Sequence, residues 1–357
     1  MKILHIASGD KWAGAEVQVW TLCSQLVKNG HDVSAIVLNE GRLAELLQVA
    51  GVKVTVYPES SIGFKNLLAK FRQHLKTARP DVIHTHRQKE NILGAIANYL
   101  SIKVPCFRTI HGAPEFTPTW KQRIQISVDE FCGRYLQQGI VSVSEDLTRK
   151  LSHIYPRKKI HTIDNGIDVE QVKADAESAQ IPPLPADVIH IGFVGRIEPV
   201  KRVDLFLETA KILLSEHRQH HQFHFHIFGD GAQRQHYQQI AEDTGINQQV
   251  TFYGHTDLIR GWISKMTLLL MPSDHEGLPM TALESLALGV PMVAHATGGL
   301  IPLLKGSSCD GLVYNHSPSG YVAKISEVIE HPQSVELIDT FSANYNADEI
   351  IKLYNSC

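Results

Sequence analysis

Residues 267–295 read TLLLMPSDHEGLPMTALESLALGVPMVAH. Residues 267–271 are a short apolar run closed by proline, 278–288 form a helical stretch, and 291–295 are apolar again. Strand, helix and strand within so short a span make a βαβ unit, because a parallel return needs a crossover and a run apolar throughout suits a strand covered on both faces. Two acids mark the unit. Glu276 stands before Gly277 and Pro279, at the mouth of the helix, and Glu284 lies eight residues on, within it. A rise of 1.5 Å per helical residue separates the two carboxylates by roughly 10–12 Å. A glycosidase pair on one bond sits closer, about 5–5.5 Å for retention and about 6.5–9.5 Å for inversion. The spacing suits contacts to two ends of one long ligand. Taken singly, Glu276 is also a favourable first-turn acid and Glu284 an ordinary helix residue.

Outward from this unit the same alternation fills the chain. Strands are expected near 2–7, 32–38, 52–57, 82–85, 104–109, 139–143 and 159–163, with helices near 14–29, 41–50, 65–79, 90–100, 119–137 and 145–153. The pattern breaks over 169–187, a polar stretch followed by Pro182, Pro183 and Pro185, and reads there as a linker. It restarts with strands near 188–194, 223–228, 249–253, 267–271, 291–295 and 311–314, and helices near 201–217, 231–244, 257–264, 278–288, 317–331 and 346–356. The expectation is α/β, with a doubly wound parallel sheet in each of two domains: 1–168, the linker 169–187, 188–330, and C-terminal helices over 331–357 that could cross back to the first domain.

Composition agrees with two globular domains. The chain has 357 residues, 43% hydrophobic and 20% charged, which excludes a disordered chain. Its apolar runs are too short to cross a bilayer, and MKILHIASGDKWAG at the N-terminus lacks a signal peptide's apolar core, so a cytoplasmic location is expected. Five scattered cysteines without a C-x-x-C pair argue for reduced thiols. The net charge of −3 hides an asymmetry: residues 1–168 hold 22 Lys/Arg against 15 Asp/Glu, a net +7, and 169–357 hold 12 against 22, a net −10. Either two soluble domains differ by chance, or the first half faces something anionic.

In open α/β sheets ligands bind at the carboxyl ends of strands. Those loops here read SGDKWAGAE (Gly14 opening a helix), IHGAPEF (with His111), GRIEPVK (Gly195, Arg196, Lys201), GDGAQ (Gly229, Gly231), YGHTD (Tyr253, Gly254, His255), PSDHEGLPM (Glu276 to Met280) and HATGG. Glycines at such turns are needed geometrically in any case, but five such loops in one domain exceed that need. Arg196 and Lys201 flank a loop entering a helix, an arrangement suited to a diphosphate or to plain solvated surface. Among twenty histidines, His220, His221, His224 and His226 cluster around one strand, and His84 and His86 share a strand face. Carboxylates are sparse around them, so no metal site is assigned.

Together these loops resemble the retaining nucleotide-sugar glycosyltransferases of the GT-B fold, glycosyltransferase family 4 (glycosyl transferases group 1). The likeness covers nearly the whole chain. It rests on E-x7-E from Glu276 to Glu284 with ALGVPMVA behind it, G-R-x-x-x-x-K at Gly195, Arg196 and Lys201, and AGAE (13–16), His111-Gly112, VSVSEDL (141–147), DNGID (164–168), GDG (229–231) and YGHT (253–256). Ala13 departs from a common GGAE. The resemblance implies two Rossmann-like domains facing each other across a cleft, and transfer from a UDP- or GDP-sugar to a saccharide or lipid-linked acceptor in polysaccharide or lipopolysaccharide synthesis. It implies that Arg196 and Lys201 neutralise the donor diphosphate and that Glu276, with Gly277, Leu278, Pro279 and Met280, holds the sugar. It gives Glu284 the ribose, sets His111 near the reacting sugar, lets Gly14 approach the phosphates, and has Gly195, Gly229, Gly231, Tyr253, Gly254 and His255 line the donor site. No cofactor or metal is expected beyond the nucleotide-sugar co-substrate. No Asp-x-Asp occurs, the device that holds a divalent ion in the other large glycosyltransferase fold. No nucleic-acid partner is expected. A GT-B phosphorylase, a nucleotide-sugar epimerase and a non-catalytic two-lobed binder are the competing readings.

On the acceptor side, Trp120, Ile124, Val128, Phe131 and Tyr135 fall on one helical stripe beside Lys121 and Arg123. The stripe is expected to pack on the sheet. The alternative is an interfacial helix on anionic lipid, which would make the protein peripheral at the inner face of the membrane.

Overall fold

In the computed structural model, which describes residues 1–10, 12–112, 119–216, 221–307 and 310–356, the strands form two sheets, parallel throughout. The first contains β1 (Lys2–Ala7), β2 (Asp32–Val37), β3 (Lys53–Val56), β4 (Val82–Thr85), β5 (Cys106–Ile110), β6 (Gly139–Ser142) and β7 (Ile160–Thr162), in the order β3-β2-β1-β4-β5-β6-β7. The second contains β8 (Val188–Val194), β9 (Gln222–Phe228), β10 (Val250–Gly254), β11 (Leu268–Met271), β12 (Met292–His295) and β13 (Leu312–Val313), in the order β10-β9-β8-β11-β12-β13. Each order reverses beside its first strand, at β1/β4 and at β8/β11, and a reversal opens a crevice at the carboxyl ends of those strands. Both units are Rossmann-like.

Unit 1 comprises Met1–Gly166 and Thr340–Cys357, and unit 2 Ile167–Asp339. The helices of unit 1 are α1 (Gly14–Lys28), α2 (Arg42–Val49), α3 (Phe64–Ala78), α4 (Gln88–Tyr99), α5 (Trp120–Phe131) and α6 (Glu145–Leu151). Those of unit 2 are α7 (Val169–Ser178), α8 (Val203–Glu216), α9 (Arg234–Asp243), α10 (Ile259–Ile263), α11 (Met280–Ala287), α12 (Leu300–Gly306) and α13 (Pro318–Glu330). Helix α14 (Ala343–Asn355) lies in unit 1, where Ile350 and Leu353 pack with Leu22, Leu26 and Val33. Period-two alternation sends Ile3 to that face of the sheet and Leu4 to the other, among Ile36, Phe71 and Leu93. Counted over the units themselves, unit 1 holds 23 Lys/Arg against 16 Asp/Glu and unit 2 holds 11 against 21, so the +7 and −10 persist.

Two expectations differ from the structure. Residues 169–187 are not a linker throughout. The Asp168 side chain accepts from the Gln171 amide at 3.1 Å and caps α7, which packs on α10 and α11 as part of unit 2. Propensity and cap outweighed a merely polar composition there, and the irregular stretch is confined to 179–187. The stripe on α5 does not pack on the sheet. Trp120, Ile124, Val128, Phe131 and Tyr135 are 38–68% exposed, and no residue of α5 is buried. Ile92 and Ala95 of α4, with Cys132 behind α5, form a small core of their own, so α5 lies against α4 as an outer layer. Its anchor is polar: Asp129 pairs with the wholly buried Arg108 of β5 at 2.8 Å. Among the described residues, no helix is long and apolar enough to cross a membrane.

Candidate active site

The reversal in unit 2 falls between β8 and β11, and the loops leaving these two strands meet there. After β8 the chain runs through Gly195 and Arg196 into a 3-10 turn, Pro199–Lys201, before α8. After β11 it runs through Ser273 to Pro279 into α11. Lys201 Nζ lies 2.6 Å from Glu276 Oε1, with the two side chains 18% and 7% exposed. A charge pair this enclosed holds both loops in register. Arg202 adds a second tie: its Nε and Nη2 donate to the Asp204 carboxylate in three contacts and its Nη1 to Asp274 Oδ1 at 2.9 Å, and these carboxylates raise its pKa.

Helix α11 begins after an extended Pro279, and no side chain caps its first-turn amides. Leu278 and Met280 bury their side chains at 4% and 5% exposure, so what they offer a ligand is backbone. The Gly277 carbonyl accepts from Gly299 N at 2.6 Å, which brings the loop after β12 against this one. One turn further along α11, Glu284 accepts from Arg260 Nε at 2.9 Å. Arg260 Nη1 reaches Asp175 Oδ2 of α7 at 2.6 Å. Burial pushes the Glu284 carboxyl up, and Arg260 opposes that shift. The two glutamates are thus held by separate cations, consistent with two separate duties.

The glycine loops serve the architecture first. Gly229 has φ +127, and a Cβ there would lie 1.9 Å from the Gly195 carbonyl oxygen; one on Gly231 would lie 2.3 Å from the Ile197 carbonyl. These residues let the loops after β8 and β9 touch, sealed by Ile197 N to Asp230 O at 2.9 Å. Gly254 likewise has positive φ beside Arg234. Gly195 itself has room for a side chain, at 3.6 Å or more from its neighbours. Tyr253 stacks on Phe228 and packs tilted against Trp262, and its hydroxyl pairs with His226 Nδ1 at 3.0 Å, so that side chain is engaged inside unit 2. His255 is largely exposed, 3.8 Å from Asp257. Arg196 is half-exposed and paired with Glu198 at 2.8 Å.

In unit 1 the reversal lies between β1 and β4. Gly14 opens α1 after β1 and is exposed. Beyond β4, Arg87 binds Glu16 of α1 at 2.5 Å and Asp10 at 3.0 Å, drawing the loops after β1 and β4 together. His111 follows β5, half-buried, its ring stacked on His86 at 5.7 Å between centroids. Burial first, then the Arg87 charge, lower its pKa to about 4. His5, His84 and His86 bring three ring nitrogens within 4.8 Å, the metal-like group among the described residues. His5 Nδ1 and His86 Nε2 are already spent on each other at 2.9 Å, so they are not free to turn together on one ion. His84 also has both nitrogens engaged, by Tyr354 at 2.5 Å and Thr109 at 2.7 Å. In unit 2, His226 pairs with His190 and Tyr253, and His224 with Thr251; His220 lies outside the described residues.

The structure thus joins Lys201, Glu276 and the start of α11 in unit 2, and sets His111 with Gly14's loop at the strand ends of unit 1. Sequence reasoning missed Arg260, Asp175, Arg202 and Asp274. Their partners lie 24, 85 and 72 residues away, and Asp175 sat in what read as linker, so no local signal marked them.

Comparison with known proteins converges on the same reading. The family model described as Glycosyltransferase Family 4 matches residues 12–171, and the one described as Glycosyl transferases group 1 matches 175–345. The UDP-Gal:alpha-D-GlcNAc-diphosphoundecaprenol alpha-1,3-galactosyltransferase of Escherichia coli is 28% identical over 68% of this chain and 64% of its own. The O-antigen biosynthesis glycosyltransferase WclY of Escherichia coli is 23% identical over 82% and 79%. The crystal structure of Anabaena HepE in complex with UDP-glucose superposes with a TM-score of 0.84 at 19% identity, covering all of both chains. With the two models accounting for consecutive halves of the sequence and the same two-domain architecture in solved glycosyltransferases, the chain belongs to the group 1 / family 4 glycosyltransferases of the GT-B fold.

Proposed function

We propose that this glycosyltransferase moves a sugar from a UDP-sugar to a saccharide or lipid-linked acceptor with retention at the anomeric carbon and without a metal ion. The observation that carries the proposal is the Lys201–Glu276 pair, 2.6 Å long and set at the uncapped start of α11. A cation, a carboxylate and the N-terminus of a helix belong to adjoining loops there, which suits a sugar diphosphate.

The chemistry follows from charge. As the bond from the anomeric carbon to phosphate oxygen breaks, negative charge builds on the diphosphate. Lys201, with two further N–H donors beyond the one on Glu276, and Arg196 stabilise it in place, together with the helix N-terminus. Glu276 accepts from sugar hydroxyls. Glu284, paired with Arg260, accepts from the ribose. The acceptor hydroxyl attacks on the face the diphosphate leaves, its oxygen bonds to the anomeric carbon, and its proton passes to the leaving phosphate oxygen. The family resemblance assigns His111 to the sugar side of the reaction.

Uridine is favoured over guanosine by the UDP-glucose complex of the Anabaena neighbour and the UDP-Gal of the Escherichia coli relative's name. A lipid-linked or O-antigen acceptor is supported by the diphosphoundecaprenol and O-antigen relatives. The exposed α5 stripe on the net-positive unit supports work at an anionic membrane surface. The test is a thermal-shift panel of UDP- and GDP-sugars in EDTA, followed by turnover and product NMR with the stabilising donor. UDP-sugar stabilisation and an unchanged anomer are expected. Stabilisation by GDP-sugars alone, an inverted product, or turnover that needs added divalent ion would each overturn the corresponding part.

A further inference from the structure

His111 ends a line of histidines that runs back into the core of unit 1. His86 Nδ1 lies 3.4 Å from His111 Nε2, and His86 Nε2 lies 2.9 Å from His5 Nδ1. His5 and His86 are buried, at 0% and 3% exposure. The far nitrogen, His5 Nε2, is buried with no hydrogen-bond partner among the described residues. His84 stacks on both rings, but its two nitrogens are engaged by Tyr354 and Thr109, so it takes no part in the line.

Burial lowers the pKa of His5 to about 3 and that of His86 well below its usual value, and His111 lies at about 4, so each ring carries one proton at neutral pH. Three neutral rings in a line admit two arrangements. In one, His5 is protonated at Nε2, each ring passes its donor inward, and a bare His111 Nδ1 ends the line outside. That leaves an N–H buried without an acceptor. In the other, His5 donates from Nδ1 to His86, His86 donates from Nδ1 to His111 Nε2, and His111 carries its proton on Nδ1. That leaves only a buried ring lone pair. Orphaned buried N–H groups are the rarer of the two in proteins, and aligned bonds reinforce each other along a chain.

We infer that His5 and His86 are positioning residues that lock His111 in the Nδ1–H tautomer, so that it meets the bound sugar as a fixed hydrogen-bond donor to an oxygen rather than as a base. The inference rests on the reading of His111 as a sugar-side residue. It assigns a task to His5, which otherwise is a polar side chain in an apolar sheet with half its hydrogen-bonding capacity unused.

The experiment uses the full chain labelled with ¹⁵N-histidine and long-range ¹H–¹⁵N correlation, with His111 assigned by its loss in His111→Ala. Wild type is expected to show His111 protonated on Nδ1. His5→Phe keeps a stacked ring but removes the donor to His86. His111 then shifts toward Nε2–H, and turnover falls roughly tenfold to a hundredfold with little change in donor KM. His86→Phe behaves the same way, while His86→Asn, which keeps an N–H near the Nδ1 position, restores the tautomer and most of the rate. Thermal unfolding of each variant identifies any that fail to fold, and the wild-type tautomer is informative without them. A wild-type His111 protonated on Nε2, or a tautomer unmoved in folded His5→Phe and His86→Phe, overturns the relay. Full turnover in His111→Ala overturns instead the placement of His111 at the sugar.

Discussion

Lys201 and Glu276 should cost unequal amounts to remove. At 2.6 Å their gross attraction is about 6 kcal/mol for an effective dielectric of 20, most of which offsets the desolvation of both ions. The inequality comes from what is left behind. Lys201→Met strands Glu276, whose side chain is only 7% exposed, and the cost is about 3 kcal/mol. Glu276→Gln strands Lys201, which at 18% exposure on a flexible stem can turn its ammonium toward water, and the cost is about 1–2 kcal/mol. The double variant leaves no stranded charge and should lie about 1 kcal/mol below wild type, giving a coupling of roughly 3 kcal/mol. For a unit of this size each kcal/mol is about 2–4 °C in midpoint. The assay is urea and thermal unfolding of ligand-free protein. Trp262, the one tryptophan of unit 2, reports its transition. Turnover is measured in parallel: each single variant should lose at least about two orders of magnitude, and the double variant should regain stability but not rate. Additive costs, or Glu276→Gln costing more than Lys201→Met, would show that the pair does not form in solution. Near wild-type rates in both single variants would show that the pair is not at the chemistry.

Glu90 is 1% exposed, and burial raises its pKa to about 7. A raised carboxyl pKa means the native state keeps a proton that the unfolded chain has lost, so stability falls as pH rises from the usual carboxylate range to about 7 and then levels. Glu90→Gln should flatten that decline and stabilise the protein at pH 8 by about 2–3 kcal/mol, measured as denaturant midpoints across pH. On α5 and the turn after it, replacing Trp120, Phe131 and Tyr135 by serine should leave the unfolding midpoint nearly unchanged, since all three are more than half exposed, and abolish flotation with anionic liposomes. Binding that survives these changes, or that ignores salt, would remove α5 from the membrane proposal.

Why α5 was misread is instructive. Its spacing, i, i+4, i+8 and i+11, is that of any helix with an apolar face, and such a face normally turns to a sheet. What it turns to depends on whether the sheet is already covered. Here α4 lies on β1, β4 and β5, and α5, packed on α4, is anchored by Asp129 reaching a buried Arg108. Periodicity fixes that a helix has a face, not which neighbour meets it. Glu284 lies on α11 and Glu276 in the loop that enters it, so the spacing of that pair depends on local chain geometry alone.

The sequence by itself therefore determined the two α/β sheets, the strand-end loops and the family, since these depend on short-range periodicity, turn chemistry and the order of motifs along the chain. Only the tertiary structure decided what each candidate residue touches. It joined Lys201 to Glu276 across 75 residues, gave Glu284 its cation from α10 and a further carboxylate from α7, returned α14 to the first unit, and lined His5 and His86 behind His111. Ion pairs and hydrogen bonds act over a few ångströms in space, and nothing in the spacing of residues along the chain encodes which distant partner will come within that reach.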